Sequence, residues 1–375
     1  MPSLPVLDFE SFRQLCLQIA NEQYPQLVKS RPVWIFGAGQ FGRDVCSALN
    51  SEGFCVHGFI ESKPVHHEVL NLPVLSWEQL TPEHVTAQIV IGIFNRSMPL
   101  DELQEIAKSA GFAEVFMPWD VYNQFHKQLG WRYWLSTPEL ILKNLVEIKK
   151  AYDCLRDDNS RKCFLEILTF RLGQHLQYSS FAHPDRQYFN DLTLGAIGKR
   201  EITFLDGGAY NGDTLMELAT TVKVSNAFLF EPDPDNFREL TVALKKSLLS
   251  AVCVPLAISN QHHILSFNAG SGEAGSISAS GTTHIAAVAL DDMLAGHQVD
   301  FIKLDIEGEE VAALHGAKKL IKRSCPILAI SLYHRPEDIW KIPCLVVDIF
   351  NSYDIFIRQH YFNSFDSVLY AIPRQ

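Results

Sequence analysis

Residues 32–36 read Pro-Val-Trp-Ile-Phe, a short apolar run rich in branched and aromatic side chains, and Gly37 ends it. FGRDVCSALNSEG follows with helical spacing, so the pattern predicts a strand, a turn and a helix. FCVHGFIE (54–61) and QIVIGIF (88–94) predict two more strands, with helical or loop segments between them. Alternation of this kind favours a parallel sheet with right-handed crossovers. From about Trp119 to Gly195 the spacing turns helical, as in SRKCFLEILTFRLGQHL, and predicts a helical connector. Strand-like runs then resume: EITFLD (201–206), AFLFE (227–231), VCVPLAIS (252–259), DFIKLD (300–305), PILAISL (326–332), YDIFIRQ (353–359) and SVLYAIP (367–373). They predict a second doubly wound sheet whose leading strands end in polar residues at the carboxyl side, where such sheets bind ligands. The expected fold class is therefore α/β, with two Rossmann-like doubly wound domains, residues 1–125 and 196–375, joined by helices over 126–195. Residues 269–280, rich in Gly and Ser, read as a flexible loop.

Length and charge narrow the picture. A chain of 375 residues is long enough for two domains with cores of their own. A net charge of −11 leaves no global basic field to hold a phosphate backbone, so a nucleic-acid partner is disfavoured. Eight cysteines (Cys16, Cys46, Cys55, Cys154, Cys163, Cys253, Cys325 and Cys344) stand singly, without zinc spacing, and read as buried thiols in a reducing cytosol. The first residues lack a basic segment followed by an apolar one. No apolar run reaches the ~20 residues that span a bilayer. The expectation is a cytoplasmic protein with no membrane span; oligomeric state is open.

GAGQFG places Gly37, Gly39 and Gly42 directly after a predicted strand and at the mouth of a helix, which fits the dinucleotide fingerprint. Gly37 allows the tight turn, Gly39 the approach of backbone to a pyrophosphate, and Gly42 close packing of helix on strand. Glu61, at the end of the second strand, stands where a ribose-binding acid is expected. An NAD-dependent oxidoreductase is the rival function this motif supports, although no acid/base for hydride transfer accompanies it. A turn kept for packing, in a non-catalytic nucleotide-binding protein, is the other alternative. IFGAGQFGRDV, GFIES and LPVLSWEQL together resemble the N-terminal domains of sugar acyltransferases and related sugar-modifying enzymes. That resemblance implies a site for a nucleotide-linked sugar.

FLDGGAYNGDT is the second motif: Asp206 at a strand end, a turn through Gly207, Gly208, Ala209, Tyr210 and Gly212, and a helix starting near Asp213 and Thr214. FLFEPDPDNF then sets Glu231, followed by Pro232, at the end of the next strand, where a carboxylate accepts both hydroxyls of a ribose. DFIKLDIEGEE sets Asp305 and Glu307 at the end of the fourth main strand. No GxGxxG occurs in this half. Acidic strand ends suit a phosphate-free cation such as the sulfonium of S-adenosylmethionine better than a pyrophosphate.

From about Tyr188 to Leu332 the chain resembles the FkbM family of methyltransferases. The matching pieces are QYFND (187–191), FLDGGAYNGDT, FEPDPDNF, LAISN (256–260), VALDDML (288–294), DFIKLDIEGEEVAALHGA (300–317) and LAISLYHRPEDIWKIP (328–343). The resemblance implies a class I methyltransferase fold with an antiparallel last strand, using S-adenosylmethionine for O-methylation of a sugar, glycan or secondary metabolite. By the same resemblance Asp206 and Gly208 sit by the methionine moiety, Glu231 on the ribose, and Ala257 and Ser259 near the adenine edge. The partner implied is a small-molecule or glycan acceptor, with a nucleotide-linked sugar as one candidate.

Methyl transfer is an in-line displacement, so alignment dominates and a proton acceptor or a metal is needed near the hydroxyl. His334, just past a predicted strand, is the first candidate acceptor. Asp305 and Glu307 are alternatives, as bases or as oxygen ligands of a divalent ion; no metal site is assigned. Lys303, two residues before Asp305, is an expected ion-pair partner for it. His66/His67 and His262/His263 read as solvated. Trp131, Tyr133 and Trp134 read as a packing face, with a sugar-stacking platform as the alternative.

Overall fold

The four residues of β1 (Val33–Phe36) are all buried, as an uninterrupted apolar run in a parallel sheet should be. A computed structural model describes residues 8–22, 24–174, 182–247, 249–268, 276–277 and 283–374. Most of the expected loop at 269–280 lies outside these residues.

Two compact units divide the chain, one made of Met1–Lys149, Lys162–Ala182 and Tyr361–Asp366, the other of Lys150–Arg161, His183–His360 and Ser367–Gln375. The helical stretch 126–195 contributes to both. In the first unit β1 is joined by β2 (Val56–Ile60), β3 (Glu68–Val69), β4 (Leu72–Leu75), β5 (Gln88–Ile91) and β6 (Val115–Phe116), in the order β3-β4-β2-β1-β5-β6. All neighbours run parallel except β3 against β4. The three long apolar runs were legible as strands; β3, β4 and β6 are too short and mixed to stand out. Trp134 is fully buried against Phe94 and Phe170, which makes it part of a packing face, whereas Trp131 is exposed. The cysteine expectation needs correction at Cys55 and Cys325, which are exposed.

Segment 361–366 belongs to this unit although it joins two strands of the other. Asn363 anchors it: fully buried with φ +59°, it accepts from Leu100 N at 3.0 Å and donates to Asn95 O at 2.7 Å and Met98 O at 2.6 Å. Asparagine tolerates this left-handed conformation better than other side chains with a Cβ.

In the second unit seven strands form the main sheet: β7 (Ile202–Gly207), β8 (Val224–Phe230), β9 (Ala251–Val254), β14 (Phe301–Leu304), β15 (Ile327–Ser331), β16 (Tyr353–Gln359) and β17 (Ser367–Pro373). Their order is β16-β17-β15-β14-β7-β8-β9. β17 runs antiparallel to both its neighbours, and the other pairs are parallel. The antiparallel last strand is therefore present. The run 252–259 is not one strand as expected. Pro255 lacks the N–H a ladder needs, and the chain leaves the main sheet there. It enters a smaller four-stranded sheet of β10 (Ala257–Ile258), β11 (His263–Asn268), β12 (Ser276–Ile277) and β13 (Thr283–Val288), ordered β10-β13-β11-β12. Phe189, Phe204 and Phe301 stack in the core beneath the main sheet. From β7 the chain winds outward through β8 and β9, then returns to β14 on the other side, so order reverses between β7 and β14. A doubly wound sheet opens its ligand crevice at the carboxyl ends on such a reversal.

Replacing Asn363 with alanine removes three hydrogen bonds and leaves buried backbone groups unmatched, so the chain should lose roughly 2–4 kcal/mol of stability. Urea unfolding of the full-length protein measures it. A loss under about 0.5 kcal/mol, typical of an ordinary surface change, would show that the segment is held by other contacts.

Candidate active site

At the reversal, Lys303 of β14 stands in register opposite Asp206 of β7, and Leu304 opposite Gly207. Residues in register on neighbouring strands share a face, so Lys303 Nζ reaches Asp206 Oδ1 at 2.9 Å, with both side chains buried. The same ammonium donates to Gly208 O at 2.7 Å and lies 5.5 Å from the Tyr188 ring centre. Burial works against the Lys303 charge, but the carboxylates of Asp206 and Asp305 outweigh it and hold its pKa above the ordinary lysine value. Burial pushes the Asp206 carboxyl up to about 7, with Lys303 pulling the other way.

The chain beyond Asp206 turns sharply. A Cβ on Gly208, whose φ is +76°, would lie 2.0 Å from Asp305 O, so only glycine fits between the two strand ends. Phe230 O accepts from both Gly208 N and Ala209 N at 3.0 Å. Glu231, at the end of β8, accepts from Tyr210 N at 2.8 Å on one oxygen and Asp233 N at 2.9 Å on the other. Two backbone donors thus fix its carboxylate, and burial raises its pKa. The helix Asp213–Ala219 begins with amides already capped by the chain itself: Asn211 Oδ1 accepts from Asp213 N at 3.2 Å, and Asp213 Oδ1 from Thr214 N at 2.7 Å.

After β14 comes a turn of acids. Asp305 accepts from the hydroxyls of Tyr188 and Tyr333, each at 3.0 Å on separate oxygens. Burial acts to raise its pKa, but Lys303 and His334 outweigh that and hold the carboxyl below its ordinary range. Glu307 adopts φ +55°, a strained conformation for a side chain with a Cβ, and Arg335 Nε bonds Gly308 O at 2.7 Å beside it. His334, fully buried, has Nδ1 2.7 Å from Glu310 Oε1, while Nε2 lies 3.4 Å from Asp305 Oδ1 and 3.7 Å from Glu307 Oε1. Burial opposes charge on this imidazole, yet Glu310, Glu307 and Asp305 overcome it and lift its pKa to about 10.

In the first unit the GAGQFG turn has a different character. Gly39 caps the helix Gln40–Ser51 with no side-chain cap and no acid in the first turn. Gly37 has φ +106°, and a Cβ on Gly42 would lie 2.0 Å from Gly37 O, which explains both glycines by packing. Glu61 Oε1 accepts from Ala38 N at 3.2 Å.

Residues 206–370 match the family model described as the methyltransferase FkbM domain. This part of the chain is similar to FkbM methyltransferase domains. Its first matched residue is Asp206. A crystal structure of a methyltransferase FkbM from Methylobacillus flagellatus KT is similar over 98% of this chain and 100% of its own, with a TM-score of 0.78 and 20% identity, so the two share a fold. An rRNA methylase from Streptococcus thermophilus is similar over 49% of this chain and 93% of its own, at 14% identity and a TM-score of 0.33. No curated protein matches the sequence. Among the described residues no helix is long and apolar enough to cross a membrane.

Asp206, Gly207, Gly208, Ala209, Tyr210 and Glu231 gather around one turn of the second unit, Asp213 and Thr214 open its helix, and Pro232 follows Glu231 half-buried. Ala257 lies in β10, and Ser259 just beyond it donates its N–H to Val288 O at 2.8 Å. Lys303 makes its ion pair with Asp206 rather than the expected Asp305, because register sets it beside β7. Asp305 and Glu307, weighed as ligands of a divalent ion, face the His334 ring; among the described residues no group of three or more His, Cys, Asp or Glu is arranged to hold a metal. His262, expected to be solvated without an acid, lies 3.0 Å from Asp292 Oδ2 on the surface, whereas His66 and His67 are exposed. Sequence reasoning missed Glu310, Tyr188, Tyr333 and Asp338 as members of the site. Tyr188 and Tyr333 stood inside quoted motifs, and nothing local marked Glu310 within the run EGEE.

The pKa of His334 lies above the 6.5 of an ordinary histidine. Its contribution to stability is therefore complete below pH 6.5 and is lost as pH rises through about 10. Thermal unfolding from pH 6.5 to 10 should show a falling midpoint, and His334→Gln should flatten that fall. Equal slopes in both proteins would mean that the imidazole carries no such charge.

Proposed function

We propose that the second unit transfers a methyl group from S-adenosylmethionine to a hydroxyl of a small-molecule, sugar or glycan acceptor. The observation that carries this reading is the trio Asp206, Glu231 and Asp305 at adjacent strand ends, beside a helix whose first amides are already capped. A pyrophosphate needs free amides at a helix start; a sulfonium with a ribose needs carboxylates. The donor set fits S-adenosylmethionine on a further count: among the described residues Asp206 Oδ2 is buried with no hydrogen-bond partner, a place where an added positive charge nearby is favourable.

In this reading Glu231 holds the ribose hydroxyls, fixed by the Tyr210 and Asp233 amides. Gly207 and Gly208 let the backbone approach the methionine end, and Ala257 and Ser259 line the adenine side. S-adenosylmethionine, when bound, supplies an electrophilic methyl on a positively charged sulfur. Asp305, held by Tyr188 and Tyr333, and Glu307 stand at the end of β14 to align the acceptor hydroxyl and receive its proton. Alignment accounts for most of the rate in such a displacement.

A second reading concerns the first unit, where the uncapped helix start at Gly39 favours an anion. With Glu61 at the end of β2, this unit is proposed to bind a nucleotide or nucleotide-linked sugar, and an NAD-dependent activity there is the rival to methyl transfer.

Calorimetric titration of the full chain with S-adenosylmethionine and, separately, with NAD tests both. S-adenosylmethionine should bind saturably, and Glu231→Gln should weaken it roughly 10- to 100-fold, the range for losing a charge-assisted acceptor. Saturable binding of NAD alone would overturn the methyltransferase cofactor assignment.

A further inference from the structure

Glu310 has no place in the reading above, yet it is fully buried and its Oε1 is shared by two donors: Ile306 N at 2.8 Å and His334 Nδ1 at 2.7 Å. One oxygen therefore ties the turn that carries Asp305 and Glu307 to the ring that faces both acids. The far side of that ring is Nε2, turned to Asp305 Oδ1 and Glu307 Oε1. With Nδ1 bonded to one carboxylate and Nε2 facing two more within 4 Å, the surrounding charge favours a proton on each nitrogen.

We propose that Glu310 is a positioning residue that keeps His334 a permanent cation, so that His334 serves the site as a fixed positive charge between Asp305 and Glu307 and not as the proton acceptor. This rests on the proposed methyltransferase site and deepens it. Every group around the ring bears on the charge. Asp305 and Glu307 face it from the turn after β14, and Glu310 from the first position of the helix Glu310–Gly316. Asp338 approaches from the helix Asp338–Ile349, and its own pKa is raised by burial and by Glu310. Arg335, next in sequence, points away to Gly308 O and Glu309. The surrounding charge is thus dominated by acids, which agrees with the raised pKa of the ring.

The consequence is a division of labour. With Lys303 on one side and His334 on the other, Asp305 lies between two cations and stays ionised, leaving the two carboxylates to face the reacting hydroxyl. Glu307 is locked in its left-handed conformation by the same clamp, since Glu310 fixes the preceding amide and Arg335 the following carbonyl.

Nuclear magnetic resonance of the full-length protein with isotope-labelled histidine tests this without an acceptor substrate; His334→Gln identifies the resonance by its disappearance. The ring should keep the shifts of a doubly protonated imidazolium from pH 6 to 9 in the wild-type chain. In Glu310→Gln, which retains an acceptor oxygen but loses the charge, the ring should titrate within that interval. A wild-type ring that becomes neutral below pH 8 would overturn the proposal, and this result needs no variant to fold. Calorimetry on the same samples, with S-adenosylmethionine and S-adenosylhomocysteine, gives the functional readout. Their affinity ratio should be flat with pH in the wild type and change by roughly tenfold across pH 6–9 in Glu310→Gln, because the two share their ammonium and carboxylate and only the first adds a sulfonium charge for the ring to sense. A flat ratio in that variant, with the ring titrating, would show that the charge does not reach the cofactor and would overturn its role in the site. Failure of the wild-type chain to bind either compound would instead remove the methyltransferase reading, while leaving the state of the ring measured.

Discussion

The ion pair of Lys303 with Asp206 is the constraint on which the rest of the second unit depends. It lies at the point where strand order reverses, with neither side chain in solvent, and an uncompensated charge there costs several kcal/mol. Its existence follows from register: parallel pairing of β14 with β7 places the two residues opposite each other on one face. Lys303 also bonds Gly208 O, so the cation that balances the acids also holds the glycine turn. Moving the strand by one residue would send the ammonium to the other face and leave Asp206 alone in the core. Chemistry and fold are coupled at this pair.

Two glycine-rich turns in one chain show how similar motifs set different local electrostatics. Both need glycine because backbone of a neighbouring segment comes within contact: Gly37 O at Gly42, Asp305 O at Gly208. What separates them is the start of the following helix. After Gly39 there is no side-chain cap and no early acid; after Gly212 the amides of Asp213 and Thr214 are taken by Asn211 and Asp213. An anion gains from the first arrangement and is repelled by the second. The glycine spacing alone does not distinguish a helix start with open amides from one whose first amides are taken by acceptor side chains.

Much of the fold was legible because buried parallel strands are uninterrupted apolar runs, and acids at their carboxyl ends marked the candidate site. Asp206, Glu231 and Asp305 could be named that way. The boundary inside 252–259 was not legible from apolarity, though Pro255 carried the signal. The partner of Lys303 could not be found from spacing, since Asp305 shares its face along the strand and Asp206 shares it across the sheet. Only register chooses between them. Glu310 was hidden for a related reason: its role depends on a ring some 24 positions later in sequence, brought to it by the crossover between β14 and β15.

The acids after β14 illustrate why location decides role more than residue type. Asp305, Glu307 and Glu310 lie within six residues, yet one is held by two phenols, one sits in a strained backbone conformation, and one is buried against the imidazole. A strained residue persists only where its surroundings over-determine it, and here the surroundings are the Ile306–Glu310 and Arg335–Gly308 bonds. The histidine that sequence alone would offer as the base has its ring nitrogens turned to acids. In the proposed site its contribution is therefore electrostatic: fixed dipoles and charges set in advance around a reacting group cost no reorganisation when charge moves. In the proposed reading the proton-accepting task passes to Asp305, which Lys303 and His334 keep ionised, and to Glu307 beside it.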